Sequence, residues 1–376
     1  MSEQIGRVIG IKHRVKKTVA GESRPTMVAI ICGDQVTELK LATEDDEIDF
    51  ILEGLRRGDT VAMPLGGSGN YLAYAIARQL EKLGDGRLIR LKPHLLKERR
   101  GGAEKGDDHL LLARLAGAYA EIFTGTTVDD LALIELKIAF RIRQDAVKAR
   151  VACELRLFQR TVGEVFVREG LSPESSIEKR YLAAKATDQI LQVLLKEEAA
   201  RNRELETAVK KLAVWQNLFA PLEGVGPRIA APIIVAVGDI RLFPSDRKRG
   251  LPAFKRFCGV GCASDGAFLR RRKGEKLNLN PEIRQALYLL ADQWNRRPDS
   301  VWGKKLRESK AYYRRQYPQK VQMGRTDPEN GASKLVWRYT DGHIHKMAIW
   351  RTLTKFAEWL FLEWRKLARE AEVVAV

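Results

Sequence analysis

The chain is short of everything that would take it into or across a membrane. No apolar run approaches the roughly 20 residues a bilayer span requires, and the polar start MSEQIGRVIG lacks the apolar segment of a secretory signal. The expectation is an intracellular, cytoplasmic protein close to the nucleoid, with no membrane partner. Cysteine is scarce as well: Cys32, Cys153, Cys258 and Cys262 are scattered, which excludes a disulfide framework. Cys258 and Cys262 have no second Cys or His pair nearby to complete a zinc site, so free thiols are expected. Gly66, Gly67 and Gly69 are not followed by the Lys-Ser/Thr of a phosphate loop, and a tight strand-to-helix turn is expected there.

Acidic residues are short relative to basic ones. The 376 residues carry 66 Lys and Arg against 48 Asp and Glu, a formal charge of +18. The excess is concentrated: residues 241–320 hold 21 basic residues against 7 acidic ones. Charge gathered on one stretch points to a polyanion, because each phosphate neutralised releases condensed counterions. Hydrophobic residues make up 45% of the chain, enough to build real cores, so global disorder is excluded.

Periodicity then divides the chain in three. In residues 1–125, Val8, Ile9 and Ile11 open a first strand, MVAIIC (27–32) is a second and VTELKLA (36–42) a third, with a Gly33-Asp34 turn between the last two. A helix follows with Ile48, Ile51, Leu52 and Leu55 on one face. DTVAM (59–63) and RLIRL (87–91) read as further strands, separated by a helix with Tyr71, Leu72, Ile76 and Leu80. Three consecutive strands followed by alternating helix and strand predict a mixed α/β sheet of RNase H-like type. His94 is expected on a surface loop and His109 on a helix. Residues 126–219 are helical by period, with a stripe that includes Ile138, Ile142, Leu155, Phe158 and Phe166. A second helical run follows from Glu178 to Phe219. This predicts a helical hairpin or coiled-coil arm, either a spacer or a surface for self-association into a homo-oligomer. Residues 220–376 are expected to be mainly helical.

Two stretches of that last part carry candidate chemistry. GVGPRIAAP sets Gly224 and Gly226 ahead of a helix with Pro227 first and Arg228 next, a helix-hairpin-helix-like turn whose backbone N–H groups could approach a DNA phosphate. GCASDG presents Ser264 between small residues, followed by Arg270, Arg271, Arg272 and Lys273. A nucleophilic serine needs exposure, activation and a cation to hold the incoming phosphate; a plain turn serine is the alternative. Downstream, NPEIRQALYLLADQW begins a helix capped by Asn280, YYRRQYP interleaves aromatics with cations in a way that suits base stacking, and a last apolar helix runs from His343 to about Ala368.

LEGVGPRIAAPIIVAVGDIRLFP, FKRFCGVGCASDGA, NPEIRQAL and HKMAIWRTLTKFAEWLFLEW together resemble the C-terminal domain of the DEDD insertion-sequence transposases, the IS one-ten relatives of the Piv DNA invertase. The resemblance covers nearly the whole chain and is strongest after residue 220. It implies an RNase H-like domain in which three Asp and one Glu hold Mg²⁺, a serine that attacks DNA, oligomerisation, and in some members a structured guide RNA. Ser264 in ASDG matches the family serine. Asp108 in DDHLLLARLA matches the last acid, with Asp107 beside it as a further candidate metal ligand. The other acidic positions depart: Lys12 stands at the first, Pro64 at the Glu position, and Lys105 at the third Asp. Ammonium groups at metal positions repel divalent cations, and one carboxylate cannot hold a pair of them. The expectation is therefore a transposase-like DNA-binding protein with impaired cleavage. The alternatives are an active or conditionally active recombinase, with Ser264 as nucleophile and Mg²⁺ held by Asp107, Asp108 or an acid such as Asp265; an accessory or regulatory DNA- or RNA-binding protein derived from a transposase; and an oligomeric structural protein that binds nucleic acid without selectivity.

Overall fold

A computed structural model of the chain describes residues 6–14, 24–102, 104–126, 128–167, 176–261, 279–326 and 333–374. It is a mixed α/β structure. In chain order the strands are β1 (Val8–Lys12), β2 (Thr26–Cys32), β3 (Gln35–Leu41), β4 (Thr60–Pro64), β5 (Arg87–Leu91), β6 (Thr124–Gly125), β7 (Val321–Thr326) and β8 (Ser333–Arg338). The α-helices are α1 (Glu44–Asp49), α2 (Asn70–Leu83), α3 (Pro93–Arg99), α4 (Asp108–Ala118), α5 (Val128–Val167), α6 (Ile177–Thr187), α7 (Gln189–Lys210), α8 (Pro227–Val237), α9 (Arg247–Phe257), α10 (Pro281–Arg296), α11 (Val301–Gln316) and α12 (Asp341–Val374). They form two compact units built from separated stretches. The first takes Met1–Ile134, Val237–Leu279 and Thr354–Val376; the second takes Glu135–Ala236 and Asn280–Leu353.

The first unit is organised by a six-stranded sheet in the order β3-β2-β1-β4-β5-β6. β1, β2 and β3 pair antiparallel, β1 with β4 and β4 with β5 pair parallel, and β6 closes the edge antiparallel to β5. The central strands β1, β4 and β5 are rich in apolar residues because both of their faces are covered, whereas β3 at the edge is mostly exposed. With a side-chain period of two, Ile9, Ile11, Val61 and Met63 turn to one face, where they meet Leu72, Ile76 and Leu80 of α2. Ala62, Ile89 and Leu91 turn to the other and meet Leu112, Leu115 and Ala116 of α4. Each buried Ile, Leu, Val or Met among them contributes roughly 1.5–3 kcal/mol. Gly10 also faces α4, and a Cβ there would lie 2.0 Å from the His109 carbonyl oxygen. α4 lies this close to β1 only because that residue has no side chain, and this contact sets the position of the site.

Several expectations need correcting. Ile51 and Leu55 are buried, but Ile48 and Leu52 are 51% and 61% exposed. A π-helical turn over Phe50–Gly54 follows α1 and rotates the predicted apolar face. His94 lies in α3, not a loop, and is exposed. The run predicted from Glu178 to Phe219 is interrupted at Asp188, whose side chain caps α7 at Leu191 N, and it ends in a π-helical turn at Trp215–Phe219. The last helix starts at Asp341 and ends at Val374. The cap at Asn280 is present, with its side chain accepting from Glu282 N and Ile283 N.

In the second unit α7 returns antiparallel along α5. Lys211–Glu135 (2.9 Å), Arg143–Asn202 (3.0 Å) and Arg150–Glu198 (2.5 Å) link the two in reversed order. Part of the α5 stripe stays open: Ile138, Ile142, Leu155 and Phe166 are exposed.

A charge-compensated sheet edge as the candidate site

The C-terminal ends of the parallel strands form one edge of the first unit, and α4 starts beside it. β1 delivers Lys12, β4 delivers Pro64, and the first turn of α4 delivers Asp108. Lys12 Nζ donates to the Gly106 carbonyl at 3.0 Å. Its pKa is lowered, chiefly by burial and further by Lys105, while the Asp108 charge pulls the other way. Asp108 is only 4% exposed. Arg100 grips it with both arms, Nε to Oδ1 at 2.8 Å and Nη2 to Oδ2 at 2.9 Å. A bidentate guanidinium is the strongest form of this pair and takes one lone pair on each oxygen. Asp107 is exposed at the start of α4, and Lys105 is exposed two residues before it.

The Pro64 position is also occupied by positive charge. Arg90, 6% exposed in β5, donates to the Pro64 carbonyl at 3.0 and 2.7 Å and to Asn70 Oδ1 at 2.8 Å. Burial lowers its pKa to about 10, with Asp130 and Asp239 supplying the compensating field. Arg241, 8% exposed, binds those two carboxylates directly, Asp130 at 2.7 Å and Asp239 at 2.9 Å. Burial opposes its charge, but the hydrogen bonds and charges of Asp239 and Asp130 outweigh this and raise its pKa. The sheet edge thus carries the buried Arg90 and Arg241 and the partly buried Lys12 and Arg100, with Asp108, Asp130 and Asp239 as the acids beside them.

A divalent cation does not fit this arrangement. Mg²⁺ asks for several converging carboxylate oxygens. Both Asp108 oxygens already accept from Arg100, and Lys12 projects from the same strand end. Among the described residues no group of three His, Cys, Asp or Glu is placed to hold a metal. No step involving a metal is derived from these residues.

One network here had no clear signal in the sequence. His13 Nδ1 lies 2.9 Å from Ser68 Oγ, and Nε2 lies 3.6 Å from Glu47 Oε1. Ser68 Oγ also donates to the Arg14 carbonyl at 3.2 Å, Thr26 Oγ1 donates to Glu47 at 2.6 Å, and Arg14 pairs with Glu47 at 3.1 Å. Ser68 therefore ties the glycine turn to the end of β1. Gly66 and Gly67, at φ +84° and +79°, make that turn as expected. Burial lowers the pKa of His13, and it lowers those of His343 and His345 in the second unit. A folded pKa below the unfolded value of about 6.5 means that the unfolded chain takes up protons first. Stability is therefore full above about pH 6.5 and is lost as pH falls through these lowered values. Thermal melts should show a lower Tm on the acid side of neutrality than on the alkaline side.

The other candidates are placed unevenly. Ser264, Arg270, Arg271, Arg272 and Lys273 lie outside the described residues. The helix before them, α9, is tied down by Glu358, which accepts from Lys255 and Arg247 at 2.9 Å each. Cys258 at its end is buried, and burial raises its thiol pKa. In the second unit Gly224 takes φ +81° ahead of α8, with the Arg297 side chain packed against it. Gly226 accepts from Ile229 N and Ala230 N as the helix begins. Arg228 is exposed and lies 3.7 Å from Glu206. Among the described residues no helix is long and apolar enough to cross a membrane. No protein-family model matches the chain, and no curated protein matches it.

Proposed function

We propose that the chain is a DNA-binding protein of the DEDD transposase type that holds nucleic acid without metal-dependent cleavage at its sheet edge. The observation that carries this reading is the Lys12–Asp108–Arg100 cluster. It puts fixed positive charge where the family would hold Mg²⁺, and it neutralises the one matching acid. With Arg100 neutralised by Asp108, Lys12, which donates to a carbonyl, is the cation of this cluster left to attract phosphate, and it does not activate water or a hydroxyl. The strand order β3-β2-β1-β4-β5, antiparallel then parallel, supports the RNase H-like assignment. The turn at Gly224 and Gly226 into α8 suits a helix-hairpin-helix contact with the DNA backbone, in which Arg228 would take part. The open apolar stripe on α5 favours a homo-oligomer formed through the helical arm. Ser264, with Arg270, Arg271, Arg272 and Lys273 after it, keeps the family's serine segment, and a structured guide RNA is a further partner of this type of protein.

The test uses labelled DNA from the gene's own flanks, with the flanking transcript and Mg²⁺. A native gel is expected to show a complex, and a denaturing gel no covalent protein–DNA adduct. An adduct that disappears in Ser264→Ala would overturn the reading and assign working serine chemistry. Affinity should also be strongly salt-dependent: with six or more phosphates contacted, it is expected to fall about 10³-fold between ~50 and ~200 mM salt. A flat salt response would remove nucleic acid as the partner.

A further inference from the structure

Four aromatic rings from three elements of the second unit lie nearly parallel to one another. Tyr317, just past α11, stacks on Tyr339 with centroids 3.9 Å apart and planes 3° from parallel. Tyr339 continues to His343 in the first turn of α12 at 5.6 Å and 18°, and Tyr317 continues back to Tyr313 of α11 at 6.5 Å and 16°. Packed ring pairs take varied angles, from 77° between Phe243 and the buried Phe254 in the first unit to 23° between the buried Trp294 and Trp302 in the second. The parallel row is not a buried core: its four members are half-buried and reach solvent.

The backbone accepts strain to build it. Tyr339 has φ +58°, a left-handed conformation that costs a non-glycine residue free energy. It is held there by its N–H, which donates to His343 Nδ1 at 2.9 Å. Cations surround the row. Arg351 lies 4.0 Å from the ring centre of Tyr312, and Lys320 lies 5.0 Å from that of Trp337, which is 53% exposed on β8. Beside the row, Lys310, Arg314, Asp341 and His345 line a cleft of about 340 Å³, with Arg314 paired to Asp341. His345 Nδ1 is buried there without a hydrogen-bond partner. Residues 301–351 hold 12 Lys and Arg against 4 Asp and Glu, so the surroundings suit a polyanion better than an apolar peptide.

We propose that Tyr313 and Tyr317 form a stacking platform that takes an unpaired base of single-stranded DNA between them, with Tyr339 backing Tyr317 and Trp337 as an outlying ring. Arg351, 5.6 Å from the Tyr313 ring centre, and Lys320 beside Trp337 take the phosphates. The 6.5 Å step between Tyr313 and Tyr317 matches the spacing of two rings with one base between them. Unpaired bases have free faces and stack on tyrosine whatever their identity, whereas the bases of a duplex already stack on one another. The proposal rests on the DNA-binding reading above and adds to it a preference for unpaired strands and the residues responsible.

The test is fluorescence anisotropy of the full chain with a labelled oligothymidine of roughly 16 nucleotides, the upper site size of a single-strand-binding module, and with a duplex of the same length. Tyr317→Leu and Tyr339→Gly are each expected to weaken single-strand binding about tenfold, with duplex binding changed less than about twofold. Tyr317→Phe, which keeps the ring, should bind as the parent does. Tyr339→Gly separates binding from folding. Glycine relieves the cost of φ +58°, which offsets part of the lost ring contact, so this variant should melt within a few degrees of the parent while losing affinity. If both ring-deleting variants bind the single strand as the parent does, the platform is overturned and duplex binding still stands. If the parent binds neither DNA, the DNA-binding reading falls and the platform falls with it. If RNA of the same length binds about tenfold tighter than DNA, the assignment to DNA is overturned.

Discussion

Asp108→Ala is expected to destabilise the first unit by roughly 3–5 kcal/mol, the cost of removing one partner from a buried ion pair. The side chain is 4% exposed and satisfies both arms of Arg100. Without it the guanidinium remains half-buried and unpaired, beside a lysine whose charge burial already disfavours. The carboxylate also sits in the first turn of α4, where it complements the helix dipole. At about 2–4 °C per kcal/mol for a unit of this size, the Tm should fall by roughly 10 °C. Asp108→Asn keeps the shape and a hydrogen-bond acceptor and should lose less. In the parent, neither Mg²⁺ nor a chelator should shift the melt, because the carboxylate is already compensated by protein cations. A clear Mg²⁺-induced rise in Tm would mean that a metal displaces Arg100.

Gly10→Ala should be equally severe. Its methyl group would meet the His109 carbonyl oxygen at 2.0 Å and the Ala113 nitrogen at 2.6 Å. Both are backbone atoms of α4, so no rotamer change relieves the overlap. Either α4 lifts off the sheet or β1 shifts, and both loosen the packing of Leu112 and Leu115 and the approach of Asp108 to Lys12. Overpacking of this kind costs about 3 kcal/mol or more when rigid backbone must yield. The measurement is denaturant unfolding with the first unit's signal followed, and a midpoint unchanged from the parent would show that α4 does not pack on Gly10. Gly33→Ala is the control: a Cβ there meets nothing within 4 Å, so only the cost of φ +58° is expected, roughly 1 kcal/mol.

Much of the sheet was legible because the strand signals are local. Val8 to Ile11, Met27 to Cys32 and Arg87 to Leu91 are short apolar runs bounded by turn residues, and their order alone favoured a mixed sheet. The two-sided burial followed from the same runs. The face of α1 was misread because Ile48 and Leu52 match a helical period, while a π-helical turn at Phe50 shifts the later residues by a fraction of a turn. The break at Asp188 was missed because an aspartate inside a charged helical run looks like a surface residue until its side chain is seen to cap Leu191.

At the candidate site the identities of Lys12, Pro64 and Lys105 could be read directly and set against the proposed resemblance. Their partners in the fold could not. Arg100 was an ordinary basic residue eight positions before Asp108, and Arg90, Asp130, Asp239 and Arg241 are spread over about half of the chain. Ion pairs between distant residues leave no period in a sequence; they exist only once β4, β5 and α4 bring the groups into one low-dielectric region where each charge needs a partner. The aromatic row divides the same way. The interleaved YYRRQYP was visible as composition, but Tyr339 joins Tyr317 only through the turn between β8 and α12.

The sequence by itself determined the mixed α/β class and the concentration of positive charge, because each depends on residue type and short-range order. Tertiary structure alone decided that Lys12, Arg90 and Arg100 occupy the sheet edge and that the tyrosines stack in a row. Those results depend on which distant side chains come within a few ångströms of each other, and only the folded backbone sets those distances.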